Sequence, residues 1–383
     1  MKTAALLGAS IVLPDAVVSD HALLIADGRI GGLVPVADVP AAHTRCDLGG
    51  GWLLPGFIDT QVNGGGDVLL NDQPTVAGID AIARAHRRFG TTGIMPTLIS
   101  DDRPVVAAAI SATEQAIEAK VPGLLGLHVE GPHLNPGKKG IHLAEKFTQL
   151  DESAIALLTA PTLGRRIVTL APELAAPGAI GKLTDAGIRV CAGHSLADYR
   201  ETRSALDQGL AGFTHLFNAM NQLQAREPGM VGAALENRDT HFGIIVDGHH
   251  VHPATVKIAL AARGLDGAML VTDAMPPVGG QMQQFSLMGQ TIRVEDGVCK
   301  GADGTLAGSA LSMAQAVRNA VNLLGLDIVA ASRLASGNPA TFLGLSQQTG
   351  RIVPGLQADL VHLDDRLVVQ RSWIAGELSE DGE

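Results

Sequence analysis

Apolar residues along the chain fall into short runs of two textures. From Ala4 to Val36 the runs are brief and alternate with turn signals, as in ALLGASIVLP and HALLIADGRIGGLVP. Asp27-Gly28 between two such runs predicts a hairpin, because a two-residue turn needs residues that tolerate positive φ. The stretch from Arg351 to Leu378, with VPGLQADLVHLDDRLVVQRSWIAGEL, has the same texture. Both ends therefore read as small β elements that could share one sheet.

Between them the runs resemble strands buried on both faces. They are FIDTQVNG (57–64), GIMPTLI (93–99), LLGLHVEG (124–131), IVTLAPE (167–173), RVCAGHS (189–195), GFTHLFN (212–218), HFGIIVDG (241–248) and AMLVTDA (268–274). Most gaps hold a helical pattern, for example VVAAAISATEQAIEAK (105–120) and ATVKIALAARG (254–264). About eight β units with helices between them predict a (β/α)8 barrel. A doubly wound sheet would need a glycine-rich phosphate turn and an acidic residue roughly 20 residues further on. GGG at 64–66 lacks that spacing. The longest insertions follow strands three (132–150), six (219–240) and eight (275–308), where a barrel carries its active-site loops.

Composition narrows the picture. A chain of 383 residues accommodates one large domain or two ordinary ones, and its 46 glycines with 3% aromatics suit an α/β protein rich in tight loops. The formal net charge of -11 argues against nucleic acid or an anionic membrane as partner. It also sits awkwardly with an anionic small substrate, a tension that only local charge can settle. Cys46, Cys191 and Cys299 are dispersed and form no metal or disulfide pattern, which points to a reducing compartment, the cytoplasm. The apolar N-terminal stretch is interrupted by Gly8, Pro14 and Asp15, too soon for a membrane helix.

Candidate chemistry lies at the ends of the expected strands. Glu130 closes LHVEG, His194 closes CAGHS, His215 sits in FTHLFN and Asp273 closes LVTDA. The C-terminal ends of barrel strands converge on one face. A carboxylate and two imidazoles leave one position of a Zn²⁺ ion open for water. Asp273 would then be a carboxylate beside the metal, placed to move a proton. Each residue alone could equally be an ordinary polar strand end, hydrogen-bonded locally.

The motifs LPGFIDTQVNG (54–64), LHVEGPHLN (127–135), AGHS (192–195), THLFNAM (214–220), REPG (226–229), VDGHHVH (246–252) and VTDAM (271–275) occur in that order. Together they resemble the N-acetylglucosamine-6-phosphate deacetylases of the amidohydrolase superfamily, and GRIVPGLQADLVHL (350–363) is similar to that superfamily's closing stretch. The resemblance implies a TIM barrel over 53–345 and a small β-sandwich assembled from 1–52 and 346–383. It implies Glu130, His194 and His215 as ligands of one divalent metal, with Zn²⁺ favoured and Fe²⁺, Co²⁺ or Mn²⁺ admitted by the same donors. It implies that Asp273 takes a proton from the attacking water and returns it to the departing amine, giving acetate and glucosamine 6-phosphate. His142 matches a carbonyl-polarising position. Asn218 and Ala219, and the backbone of Leu306, Ala307 and Gly308, match substrate-contacting segments. Arg226 and His250 match phosphate-binding positions, one or both offered across a homodimer interface. Asp247 would orient a sugar hydroxyl or a neighbouring histidine.

One departure stands out. Many amidohydrolases carry two histidines at the end of strand one, holding a second metal; here Gln61 and Asn63 occupy those places. Neutral amides are poor Zn²⁺ ligands, so a single metal is expected, with Gln61 and Asn63 bonding its water or shaping the pocket. The epimeric N-acetylgalactosamine 6-phosphate, or another N-acyl amine, is the alternative substrate. From a different class, a non-catalytic barrel scaffold would have lost residues that are all present here.

Overall fold

Each of the eight apolar runs forms a parallel strand in a computed structural model that describes residues 3–295 and 297–379. The strands are β1 (Phe57–Val62), β2 (Thr91–Ile99), β3 (Gly126–Glu130), β4 (Arg165–Leu170), β5 (Arg189–Ala192), β6 (Gly212–Phe213), β7 (His241–Ile244) and β8 (Ala268–Leu270). Their order in the sheet follows the chain. All nine residues of β2 are buried, as a strand covered by side chains inside and helices outside requires. Pro96 interrupts that run, and the ladder with β1 shifts register beside it, where the missing N–H costs no bond.

The sheet wraps into a nearly closed barrel. Between β8 and β1 there is no continuous ladder among the described residues. The seam is joined by one parallel bridge, Val62 with Ala274, and by bonds from Asp273 N to Gln61 O (3.0 Å) and Asn63 N to Ala274 O (2.8 Å). Helices such as Val76–Arg87, Arg103–Glu118 and Pro253–Arg263 return the chain between strands. The helix Tyr199–Asp207 after β5 starts on a capping box, Asp198 bonding Glu201 N while the Glu201 side chain bonds back.

The two ends build a β-sandwich on this TIM barrel. One sheet, ordered Arg29–Pro35, His21–Ala26, Thr3–Leu7 and Thr44–Asp47, is wholly N-terminal. The other has six strands and mixes the ends: Trp52–Pro55 pairs with Leu360–Leu363 on one side and Ser10–Val12 on the other. Leu6, Ile11, Leu23, Leu53, Leu360 and Trp373 fill the space between the sheets. The hairpin at Asp27-Gly28 is present, with φ of 49° and 76° and Ala26 paired to Arg29. The chain leaves the six-stranded sheet at Pro55 and enters the barrel at Phe57.

The insertion after β8 differs from the loop expected there. It contains a four-stranded antiparallel sheet, Gln284–Leu287, Gln290–Glu295, Val298–Lys300 and Leu306–Ser309. Phe285, Leu287, Ile292 and Cys299 pack its inner face against Leu69, Ile99 and Met275. No helix among the described residues is long and apolar enough to cross a membrane.

Candidate active site

The barrel carries Glu130, His194, His215 and Asp273 to one face because each lies at or just beyond the C-terminal end of its strand. Glu130 is the last residue of β3, His194 and His215 follow β5 and β6, and Asp273 follows β8. The last three have positive φ, of 49°, 32° and 52°. Such conformations cost about 1–3 kcal/mol each in a non-glycine residue and persist only where the surroundings impose them. They turn the chain at the strand ends so that the side chains meet over the barrel mouth.

Glu130 Oε1 lies 3.2 Å from His194 Nε2 and 3.0 Å from His215 Nε2, and the two Nε2 atoms are 3.0 Å apart. A tetrahedral ion with bonds of about 2.0–2.1 Å separates neighbouring ligand atoms by roughly 3.3 Å, so this triangle suits a small divalent cation. The His194 Nδ1–H donates to the Lys138 carbonyl at 2.9 Å, which leaves Nε2 bare to ligate. All three side chains are buried. Burial opposes ionisation of Glu130, but the two imidazoles placed against its carboxylate hold its carboxyl well below the usual range.

Gln61 and Asn63 join this group to Asp273. Gln61 Nε2 donates to Glu130 Oε2 at 3.1 Å and to Asp273 Oδ1 at 3.2 Å, and Asn63 Nδ2 donates to the same Asp273 oxygen at 2.6 Å. Desolvation, followed by the nearby Glu130 charge, raises the Asp273 pKa.

His142 packs against His194, ring centroids 4.5 Å apart. Its Nδ1 lies 2.8 Å from the Ser100 hydroxyl and 3.4 Å from the Ser100 backbone N–H; with Nδ1 accepting from that N–H, the ring proton sits on Nε2. Burial, followed by the neighbouring His194, lowers its pKa to about 3, so the ring is a neutral donor. Gly140 lets this loop close in: a Cβ there would stand 3.2 Å from His194 Cε1, at a φ of 56°. Opposite, Asp247 accepts from the backbone N–H of His249 and His250 and from the His250 ring Nδ1 at 2.6 Å.

A cavity of about 280 Å³ collects Asn63, Glu130, His142, His194, His215, Asn218, Ala219, His250, Asp273, Leu306 and Gly308. Gln61 and Asp247 stand behind it through the bonds above. Two further residues expected at the site, Ala307 and Arg226, have no side chain in its wall. Ala307 points the other way along its strand and is buried in the four-stranded sheet's core, as alternation dictates. Arg226 is exposed, because its loop has left the barrel mouth for the surface by that point. Sequence reading also missed Ser100, which bonds His142, and the wall formed by Ile99, Ile141, Met275 and Thr305. Ser100 follows β2 as a polar strand end, the same signal that marks Glu130.

The fold and site define a metal-dependent hydrolase on a TIM barrel. Residues 52–379 match the family model described as the amidohydrolase family. The chain is 42% identical over 373 residues to N-acetylgalactosamine-6-phosphate deacetylase of Shewanella sp. (strain ANA-3), covering 97% of this chain and 94% of that one. It is 31% identical over 368 residues to N-acetylglucosamine-6-phosphate deacetylase of Haemophilus influenzae, covering 95% and 96%. Among solved structures, N-acetylglucosamine-6-phosphate deacetylase from Pasteurella multocida superposes with a TM-score of 0.95 at 32% identity, covering 98% of this chain and 99% of that one. A Mycobacterium smegmatis N-acetyl-D-glucosamine-6-phosphate deacetylase variant, in complex with N-acetyl-D-glucosamine-6-phosphate, superposes with a TM-score of 0.90 at 32% identity, covering 99% and 100%. This chain belongs to the amidohydrolase family and is an enzyme, a hydrolase of that type.

Proposed function

We propose that this chain hydrolyses the acetamide of an N-acetylated amino-sugar 6-phosphate, N-acetyl-D-glucosamine 6-phosphate in the leading reading, to acetate and the free amino-sugar phosphate. The observation that carries it is one cavity in which the Glu130, His194 and His215 triangle, Asp273 and the neutral His142 face one another.

Glu130, His194 and His215 would hold a single divalent cation, which we take to be Zn²⁺. When bound, such an ion supplies a Lewis acid and makes water acidic enough to ionise near neutral pH. Asp273 Oδ1 is occupied by the amides of Gln61 and Asn63, which leaves Oδ2 to take a proton from the attacking water. Its raised pKa then suits it to return that proton to the departing nitrogen, without which an amine is a poor leaving group. The His142 Nε2–H serves the carbonyl oxygen as negative charge builds there. His250, its other nitrogen held by Asp247, and the Asn218 and Ala219 segment would receive the sugar phosphate, with Leu306 and Gly308 on the facing wall.

Arg226 lies outside its own cavity, which favours its use by a neighbouring copy in a homodimer. A planar guanidinium suits phosphate by bonding two oxygens at once. The dispersed free cysteines favour a cytoplasmic setting. We place the barrel domain, with the insertion after its last strand, over 53–345, which holds every residue of the cavity, and the sandwich over 1–52 and 346–383.

The 42% identity to an N-acetylgalactosamine-6-phosphate deacetylase, against 31% and 37% to two glucosamine-type relatives, favours the galactosamine epimer as a second reading. Turnover of both phosphorylated epimers and of unphosphorylated N-acetylglucosamine, measured side by side, decides between them. Equal turnover with and without phosphate would contradict both.

A further inference from the structure

Asp59 is a buried carboxylate that the proposed reaction does not use. It lies on β1 two residues before Gln61 and is 0% exposed. Its Oδ1 accepts from the backbone N–H of Gln61 at 3.2 Å and of Thr272 at 3.3 Å, and its Oδ2 accepts from the Thr272 hydroxyl at 2.5 Å. The Thr272 oxygen in turn accepts from Ala274 N at 3.2 Å.

These bonds lie on the seam where the barrel lacks a ladder. β8 ends at Leu270, and the chain beyond it meets β1 through the bridge of Ala274 to Val62 and the backbone bonds of Asp273 N to Gln61 O and of Asn63 N and Gly64 N to Ala274 O. Asp273 stands between Thr272 and Ala274 at a φ of 52°, a conformation that its surroundings must impose, and its own N and O are bonded to Gln61 O and Ser309 N. Asp59 fixes Thr272 directly and Ala274 through the threonine hydroxyl. It also holds the backbone of Gln61, whose side chain donates to Asp273 Oδ1. One buried group thus sets both ends of the Gln61–Asp273 contact. A residue serving only to fill this space would be apolar, since burying a carboxylate is costly; here burial pushes its pKa up to about 7.

We propose that Asp59 is a positioning residue for Asp273, holding it through Thr272 and Gln61 in the orientation its proton transfers require. This rests on the role proposed above for Asp273.

The test compares the wild-type chain with Asp59→Ala, Asp59→Asn and Thr272→Val in kcat, KM, metal content and crystal structure. Asp59→Ala is expected to lose about tenfold or more in kcat, with KM within about threefold and metal content unchanged, because small misplacements of a reacting group are costly. Asp59→Asn is expected to stay within about threefold of wild type, since its amide oxygen can accept both backbone N–H groups and its amide N–H can donate to Thr272 Oγ1. Thr272→Val removes only the hydroxyl and is expected to lower kcat at preserved KM, which keeps the test decisive if Asp59→Ala does not fold. The Asp59→Ala crystal is expected to show the Asp273 carboxylate displaced from Asn63. Unchanged kcat in both Asp59→Ala and Thr272→Val, loss of metal from them, or an Asp59→Asn as impaired as Asp59→Ala would overturn the proposal. So would an unmoved Asp273 in the crystal. That last readout needs no substrate, so it judges the positioning even if the wild-type chain releases no acetate and the functional reading fails.

Discussion

Asn63 donates its amide N–H to Oδ1 of Asp273 at 2.6 Å, and Gln61 reaches the same oxygen at 3.2 Å. Two neutral amides thus converge on one carboxylate oxygen. Asp273→Asn keeps the shape of the side chain but cannot carry the proton. Turnover is expected to fall about a thousandfold or more, with metal content unchanged. Steady-state kinetics with elemental analysis checks this; turnover within about tenfold of wild type would remove Asp273 from the mechanism.

The same amides limit the metal count. One divalent ion per chain is expected in the purified enzyme, and Glu130→Gln, which keeps the volume of the side chain and removes its charge, should weaken metal binding about a hundredfold. Competition with a chromogenic chelator measures the affinity. Two tightly bound ions per active chain would refute the single-metal reading.

Arg226 offers a test of the assembly. Arg226→Ala should raise KM for the phosphorylated sugar about tenfold or more while leaving kcat close to wild type. Mixing inactive Asp273→Asn chains with Arg226→Ala chains should restore part of the lost efficiency, because a mixed dimer pairs an intact Asp273 with an intact Arg226. No gain on mixing, in a sample shown to exchange subunits, would place Arg226 outside the shared site.

Acid stability follows from a buried histidine that the proposed reaction does not use. His86 in the helix Val76–Arg87 donates Nε2–H to the Gly64 carbonyl at 2.9 Å, and burial lowers its pKa to about 4. In the unfolded chain an imidazole titrates near 6.5, so below that pH the unfolded state binds a proton that the folded state refuses. This stabilising contribution is fully present above about pH 6.5. It is lost as pH falls toward about 4, by roughly 3 kcal/mol for the one group. Urea unfolding at several pH values should show a shallower decline for His86→Gln than for wild type. Identical slopes would contradict the assignment.

The eight barrel strands were legible because a strand covered on both faces must be apolar along its length, and polar residues at its end then stand out. Glu130, His194, His215 and Asp273 carried that signal, and the structure brings them together. The meander over 284–309 was not legible, because its alternation is short and one face remains exposed. The Ala307 side chain faces the sheet core because strand alternation sends only every second side chain into a cavity, which leaves its backbone as the part expected to meet substrate. Asp59 escaped notice because, beyond the nearby Gln61 N–H, its partners are the backbone and hydroxyl of Thr272, which lies 213 residues away in the chain.

The reconciliation of an acidic chain with an anionic substrate is local. The net charge of -11 describes the surface at large, whereas His250, Arg226 and the backbone around Asn218 would face the phosphate. Neutralising both side chains, in Arg226→Ala with His250→Asn, should therefore narrow the gap in kcat/KM between phosphorylated and unphosphorylated sugar. A gap that stays at its wild-type size would place phosphate recognition elsewhere.

The most direct test of the account is acetate release from N-acetyl-D-glucosamine 6-phosphate and its galactosamine epimer before chelation, after chelation and after return of Zn²⁺. Stoichiometric acetate and free amine are expected from at least one of the two, with loss of turnover on chelation and recovery with the metal. Undiminished turnover in the fully metal-depleted enzyme, or no acetate from either sugar with metal bound, would contradict it.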